Sequence, residues 1–187
     1  MEKFTLALST IKMAHKRGIP QSDFVFESTY CLYKLGKFLS ALNLIEKSRI
    51  DSRLKLLKGQ ILYRLERFDD AVEIFNNLIK TGEFSIEDLQ VNLLASKAQA
   101  GINSNEKVDS YDSTYNLALV KLSNNEFKAV EKLVKDCEKY LENEGDNQTH
   151  QSDSINLKLI SICAMMGEKD NWPEAEFLLR KLKASNG

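Results

Sequence analysis

Histidine and cysteine are scarce in this chain of 187 residues, and the spacing of its acids, bases and nucleophiles assembles no catalytic site. His15 and His150 are the only histidines, one in a helical pattern and the other in a polar stretch. No HExxH, GxSxG, P-loop or GxGxxG pattern occurs, so metal hydrolysis, serine nucleophiles and nucleotide phosphates lack their usual frames. Glu66, Asp69 and Asp70 look like a carboxylate cluster, but acids are ordinary in a first helical turn, where free N–H groups and the helix dipole favour them. Glu142, Glu144, Asp146 and Asp153 share one stretch without the ligand spacing of a calcium loop. Cys31, Cys137 and Cys163 form no CxxC, which excludes zinc and thioredoxin-like frames. Three thiols in apolar helical stripes read as reduced, buried residues of a reducing compartment. With no set of nucleophile, base and orienter, the expectation is a protein that is not an enzyme and needs no cofactor or metal.

What the chain does offer is side chains suited to recognition. Phe26, Tyr30 and Tyr33 follow i, i+4, i+7 spacing, which puts them on one face of a helix. Leu56, Gln60 and Tyr63 repeat that stripe 30 residues later, and Tyr115, Leu119 and Leu122 form a third version. Lys34, Arg64 and Arg67 flank it. Tyrosine and arginine are favoured at protein-binding hot spots, and an apolar, aromatic groove suits an apolar or amphipathic partner segment. The competing reading is that individual tyrosines pack against neighbouring helices, since tyrosine is intermediate in burial preference.

The elements that must carry these side chains show in a recurring triplet. An aromatic, a small or β-branched residue three later and a bulky apolar residue four after that occur at Phe4/Ala7/Ile11, Phe38/Ala41/Ile45, Phe68/Ala71/Phe75, Phe127/Val130/Val134 and Trp172/Ala175/Leu179. The first two copies lie 34 residues apart and the next 30 further on. This pattern and period mark the second helix of a tetratricopeptide repeat, a helix–turn–helix unit that stacks into a solenoid with first helices lining the concave side. The reading is an all-α superhelix of about ten helices, one domain over 1–187, cut from a longer chain because residues 3–16 form a second helix without its first.

Gly18 and Pro20 end the opening helix, and Ser22-Asp23 can cap the next, predicted over 22–35. Gly36-Lys37 turns into the Phe38 helix. Asp51-Ser52 opens the following unit, where Gly59 permits a close helix approach. From Phe68 to Phe127 is 59 residues, too long for one unit and too short for two. A helix over 86–100, ended by Gly101, is therefore unpaired, and the polar residues 102–110 form an irregular loop. Helices 112–123 and 126–141 restore the pattern. Residues 142–154 lack large apolar side chains and read as a long solvated loop. Helices 155–166 and 173–184 close the chain, with Pro173 tolerated in a first turn.

Composition excludes several classes. Net charge is −1, without the basic excess a nucleic-acid binder shows. No apolar run approaches the ~20 residues of a membrane span. No signal peptide precedes the first amphipathic pattern, so the expected location is cytoplasmic.

Four stretches go beyond a generic repeat: Tyr30-Cys31-Leu32-Tyr33-Lys34-Leu35, the run from Gly59 to Phe68, Asn92-Leu93-Leu94-Ala95 and Tyr115-Asn116-Leu117-Ala118. They resemble the amino-terminal repeat region of the seventy-two-kilodalton subunit family of the eukaryotic signal recognition particle. The order of elements is also similar, across about residues 3–184. The resemblance implies binding to the carboxy-terminal region of the sixty-eight-kilodalton subunit, in support of co-translational targeting to the endoplasmic reticulum. It implies that RNA is contacted by a lysine-rich segment beyond the repeats, for which nothing here stands. The expected partner groove combines Phe26, Tyr30, Tyr33, Lys34, Leu56, Gln60, Tyr63, Arg64, Arg67, Asn92, Tyr115, Asn116 and Leu119. The alternative is a co-chaperone-type adaptor that clamps another protein's tail peptide, yet the clamp's Lys and Asn positions here hold Phe26, Tyr30, Leu56 and Gln60. Uncapped ends add the expectation of self-association.

Overall fold

The computed structural model describes residues 2–144, 148–168 and 171–185. Among these it contains α-helices and no strand, and the repeat pattern reads directly onto them as an all-α tetratricopeptide-like solenoid. The helices are α1 (Glu2–Lys16), α2 (Val25–Lys34), α3 (Phe38–Glu46), α4 (Ser52–Arg64), α5 (Phe68–Thr81), α6 (Ile86–Ala100), α7 (Tyr111–Ser123), α8 (Phe127–Glu144), α9 (Gln148–Gly167) and α10 (Trp172–Ser185). They divide into two compact units, 1–89 and 90–187, with the division inside α6.

The same neighbour pattern recurs in both units. In the first, α2 pairs with α3 and α4 with α5, while α2 also lies beside α4. In the second, α7 pairs with α8 and α9 with α10, while α7 lies beside α9. The triplet explains the pairing. Its small and bulky members are buried in the inner copies: Ala41 and Ile45, Ala71 and Phe75, Val130 and Val134. A small residue lets the backbones approach and the bulky one a turn later fills the space beside it. The end copies differ. α1 buries no residue, and in α10 Ala175 is buried while Leu179 is 44% exposed.

Local chemistry fixes the ends of the elements. The Asp51 side chain accepts a hydrogen bond from Leu54 N at 2.8 Å, an N-cap that satisfies one orphan donor of α4. A β-carbon on Gly59 would stand 2.8 Å from the ring of Phe75, so α4 and α5 cross there as closely as the sequence suggests. Ser22 and Asp23, expected to cap α2, instead lie in a 3-10 turn over Gln21–Phe24, and Phe24 precedes the helix without a side-chain cap. Pro20 starts this tighter turn because its fixed φ suits it and its missing N–H costs nothing.

Two further expectations are corrected. The loop expected over 142–154 is largely helical: α8 continues to Glu144 and α9 begins at Gln148, while 145–147 lie outside the described residues. Polar composition masked the start of α9, whose early turns run beside α7 and bring Asp153 near Tyr111 and Tyr115. Cys31 and Cys137 are buried as expected, but Cys163 is exposed.

Residues 102–109 form the expected irregular loop after α6. It is held from beneath by two buried lysines. Lys97 Nζ donates to Ser104 Oγ at 3.1 Å and Glu106 Oε1 at 2.5 Å. Lys121 Nζ donates to Asn103 Oδ1 at 3.0 Å, Asn105 Oδ1 at 2.5 Å and Glu126 Oε2 at 3.0 Å. Gln90 Nε2 adds a bond to the Lys107 carbonyl at 2.7 Å. Val108 then packs on Leu94, Leu117 and Val120. Gln90 thus meets a loop carbonyl directly, and the two lysines hold the loop through its side chains.

Candidate protein-binding site

The first unit builds a face from α2 and α4. Phe26, Tyr30 and Lys34 are spaced i, i+4, i+8, which aligns them along α2. The rings of Phe26 and Tyr30 stack with centroids 6.3 Å apart, and Phe4 of α1 meets Tyr30 edge-on at 6.1 Å. Lys34 Nζ lies 5.6 Å above the Tyr30 ring. From α4, the Arg53 guanidinium lies 4.8 Å over Phe26, and that of Arg64 lies 5.0 Å over Phe38. Such cation–ring contacts contribute about 0.5–1 kcal/mol each at exposed sites. They fix the direction of side chains that would otherwise swing freely. Leu56 and Gln60 are half-buried on α4.

The tyrosines of the sequence stripe divide by role. Tyr30 is 38% exposed. Tyr33 is half-buried against Phe38 at 5.9 Å, and Tyr63 is half-buried against Phe68 at 5.5 Å. Each of these two rings closes its own hairpin by packing on the triplet aromatic of the second helix, a contact worth about 0.5–1.5 kcal/mol. Arg67 is exposed and ion-paired to Asp70 at 2.6 Å.

In the second unit the stripe is packed more deeply. Tyr111 and Tyr115 stack at 6.1 Å. Both rings, with Leu119 and Leu122, pack on a cluster of Val130, Val134, Cys137, Leu157, Ile160 and Ala164. Burial raises the pKa of both phenols, and the charge of Asp153 raises it further. Burial likewise pushes the Cys137 thiol up to about 12, which leaves it unreactive. Asn116 Nδ2 donates to the Val91 carbonyl at 3.1 Å, and the Asn92 carbonyl accepts the Ser96 hydroxyl at 2.8 Å. The expected groove residues thus fall into two sets, Phe26 to Arg67 in the first unit and Asn92, Tyr115, Asn116 and Leu119 in the second.

Arg53, Phe4 and Phe38 join the first set although the sequence reading did not place them there. Arg53 had a legible signal: it precedes Arg64 by eleven residues, three helical turns, on one face of α4. Among the described residues no group of His, Cys, Asp and Glu side chains could hold a metal ion, and no helix is long and apolar enough to cross a membrane.

Comparison with known proteins agrees with the fold. The SRP_TPR_like family model, which describes a TPR-like repeat, matches residues 1–99. The chain is similar to signal recognition particle subunit SRP72 of Homo sapiens, with 34% identity over 94 residues, 49% of this chain and 14% of that protein. It is similar to the subunit of Schizosaccharomyces pombe at 32% over 178 residues, covering 91% of this chain and 29% of the relative. The Caenorhabditis elegans protein is 29% identical over 204 residues, covering 100% and 31%. The chain therefore spans less than a third of the length of the curated relatives it matches.

Proposed function

The chain belongs to the SRP_TPR_like family, and from that premise we propose that it is the protein-binding repeat region of a signal recognition particle subunit. Its partner is the carboxy-terminal region of the sixty-eight-kilodalton subunit, and its work is to hold that region within the particle during co-translational targeting to the endoplasmic reticulum. The family points to a binding protein without catalysis. The location in keeping with this role is the cytoplasm, and the near-neutral charge fits contact with protein rather than direct contact with RNA.

The observation that carries the reading is the aromatic face of α2. Phe26 and Tyr30 stack there with Tyr30 open to solvent, which is the arrangement of an amphipathic aromatic anchor at a protein interface. Titration calorimetry with the sixty-eight-kilodalton subunit's carboxy-terminal region tests it. Binding is expected, weakened about tenfold by Tyr30→Ala. Tyr30 is a better probe than Tyr33 or Tyr63, whose loss would also loosen a hairpin. No measurable binding by the unsubstituted chain would overturn the reading.

A further inference from the structure

We infer that the α2/α4 face takes an acidic protein segment, with carboxylates meeting Lys34, Arg64 and Arg53 and apolar side chains lying over Phe26 and Tyr30. This deepens the protein-binding reading of the same face and rests on it. The evidence lies in how the cations are held. Some exposed basic side chains elsewhere lean on acids, Arg67 on Asp70, Lys139 on Asp136 and Arg180 on Glu176, at 2.6–2.7 Å, while others such as Lys80 form no ion pair among the described residues. On this face the cations lean on rings instead, Lys34 on Tyr30 and Arg64 on Phe38. Neither forms an ion pair among the described residues. Arg53 has one acid, Asp51, at 3.5 Å, with both side chains more than half exposed. That contact is solvent-screened and weak.

A guanidinium held over a ring spends no N–H group on an acid and can offer them to a carboxylate. Ring and cation together define a composite surface, apolar in the middle and basic at the margins. Lys34 and Arg64 both stand at helix C-termini, the last residues of α2 and α4. The helix dipole favours positive charge at that end. Arg53 stands at the other end of α4, eleven residues from Arg64, or about 16 Å along the axis. An extended segment of about five residues spans that distance. Single-stranded RNA also uses rings and cations, but its phosphates require a basic excess that a net charge of −1 does not supply.

The test measures fluorescence anisotropy of the chain with a labelled Glu/Leu-rich peptide, its Gln/Leu counterpart, a poly-uridylate strand and the sixty-eight-kilodalton subunit's carboxy-terminal region. The acidic peptide is expected to bind, and the Gln version to bind several-fold more weakly. Combined Lys34→Gln and Arg64→Gln should lower the affinity for both acidic peptide and carboxy-terminal region about fivefold in low salt. The difference should shrink as salt rises. Lys80→Gln, an exposed cation on α5, should change nothing. Equal binding of both peptides, or stronger binding of the RNA, overturns the inference. If the carboxy-terminal region binds the doubly substituted chain as tightly as the original, the acidic inference falls while the protein-binding reading stands. If that region fails to bind but the acidic peptide still binds through Lys34 and Arg64, the assigned partner is wrong and the acidic chemistry holds.

Discussion

Three hairpin turns in this chain solve one geometric problem with three residue types. Gly36, Glu66 and Asn125 each stand two residues before a triplet aromatic, with φ of 71°, 59° and 60°. Behind each, the next residue's N–H reaches back to a helix carbonyl: Lys37 to Leu32 at 2.9 Å, Arg67 to Leu62 at 3.0 Å and Glu126 to Lys121 at 2.9 Å. This is the left-handed C-terminal closure for which glycine is the natural occupant. A residue with a β-carbon loses about 1 kcal/mol there, partly offset because glycine gives up more freedom on folding. Glu66→Gly should therefore stabilise the chain by about 0.5 kcal/mol, read as a higher urea midpoint. Asn125→Gly should gain less, since asparagine tolerates the left-handed region. A lower midpoint for Glu66→Gly would mean that the turn is held by something other than backbone geometry. Of the three, only the turn at Gly36 was legible beforehand. A single left-handed glutamate leaves no trace in composition or periodicity.

At the scale of elements, the helices were legible because the triplet encodes both partners of a packed pair. Its small member and its bulky member specify where a neighbour must lie. The loop over 102–109 was legible only as a loop. Its polar residues gave no sign of what holds it, whereas Ser104 within it and Lys97 and Lys121 on the flanking helices are buried. Long cationic side chains can reach either water or a polar interior, and sequence does not say which. The start of α9 was hidden for the converse reason: polar residues can be helical wherever one side runs along a neighbour. The lysine-held loop has a pH signature. Hydrogen bonds from Lys121 and Asn103 hold the Glu126 carboxyl below its usual range. A lowered folded pKa adds stability that is fully present above the unfolded value, about 4.3, and is lost as pH falls through the folded value. Lys121→Ala should cost about 1 kcal/mol near neutrality, because it removes three hydrogen bonds made by a buried ammonium while water takes up the exposed oxygens of Asn103 and Asn105. It should also flatten the acid limb of the stability profile and speed amide exchange across 102–109. Unchanged exchange in that segment would show that the lysine does not secure the loop.

At the scale of the whole molecule, the helices at the two ends of the chain each carry more than one exposed large apolar side chain, whereas Leu39 of α3 and Ile86 of α6 are exposed singly. Leu6 and Met13 on α1 are 67% and 53% exposed. On α10, Trp172, Phe177 and Leu179 are 53%, 64% and 44% exposed. Single exposed apolar residues are ordinary, but Leu6 and Met13, seven residues apart, share a face of α1, and Trp172 and Leu179, also seven apart, share a face of α10. Repeat stacks bury such faces against a further unit or a polar cap. When this chain is alone in solution, another copy is the available cover. Light scattering should then report a mass that rises above the 21.3 kDa of one chain as concentration increases. Trp172→Glu combined with Leu179→Glu should return it to the single-chain mass, because charge within an apolar contact is desolvated without a partner. Both side chains are exposed, so helix content should be unchanged by circular dichroism. A single-chain mass at every concentration would show that these faces are tolerated by the isolated chain, and that apolar exposure at the ends is too dispersed to drive association.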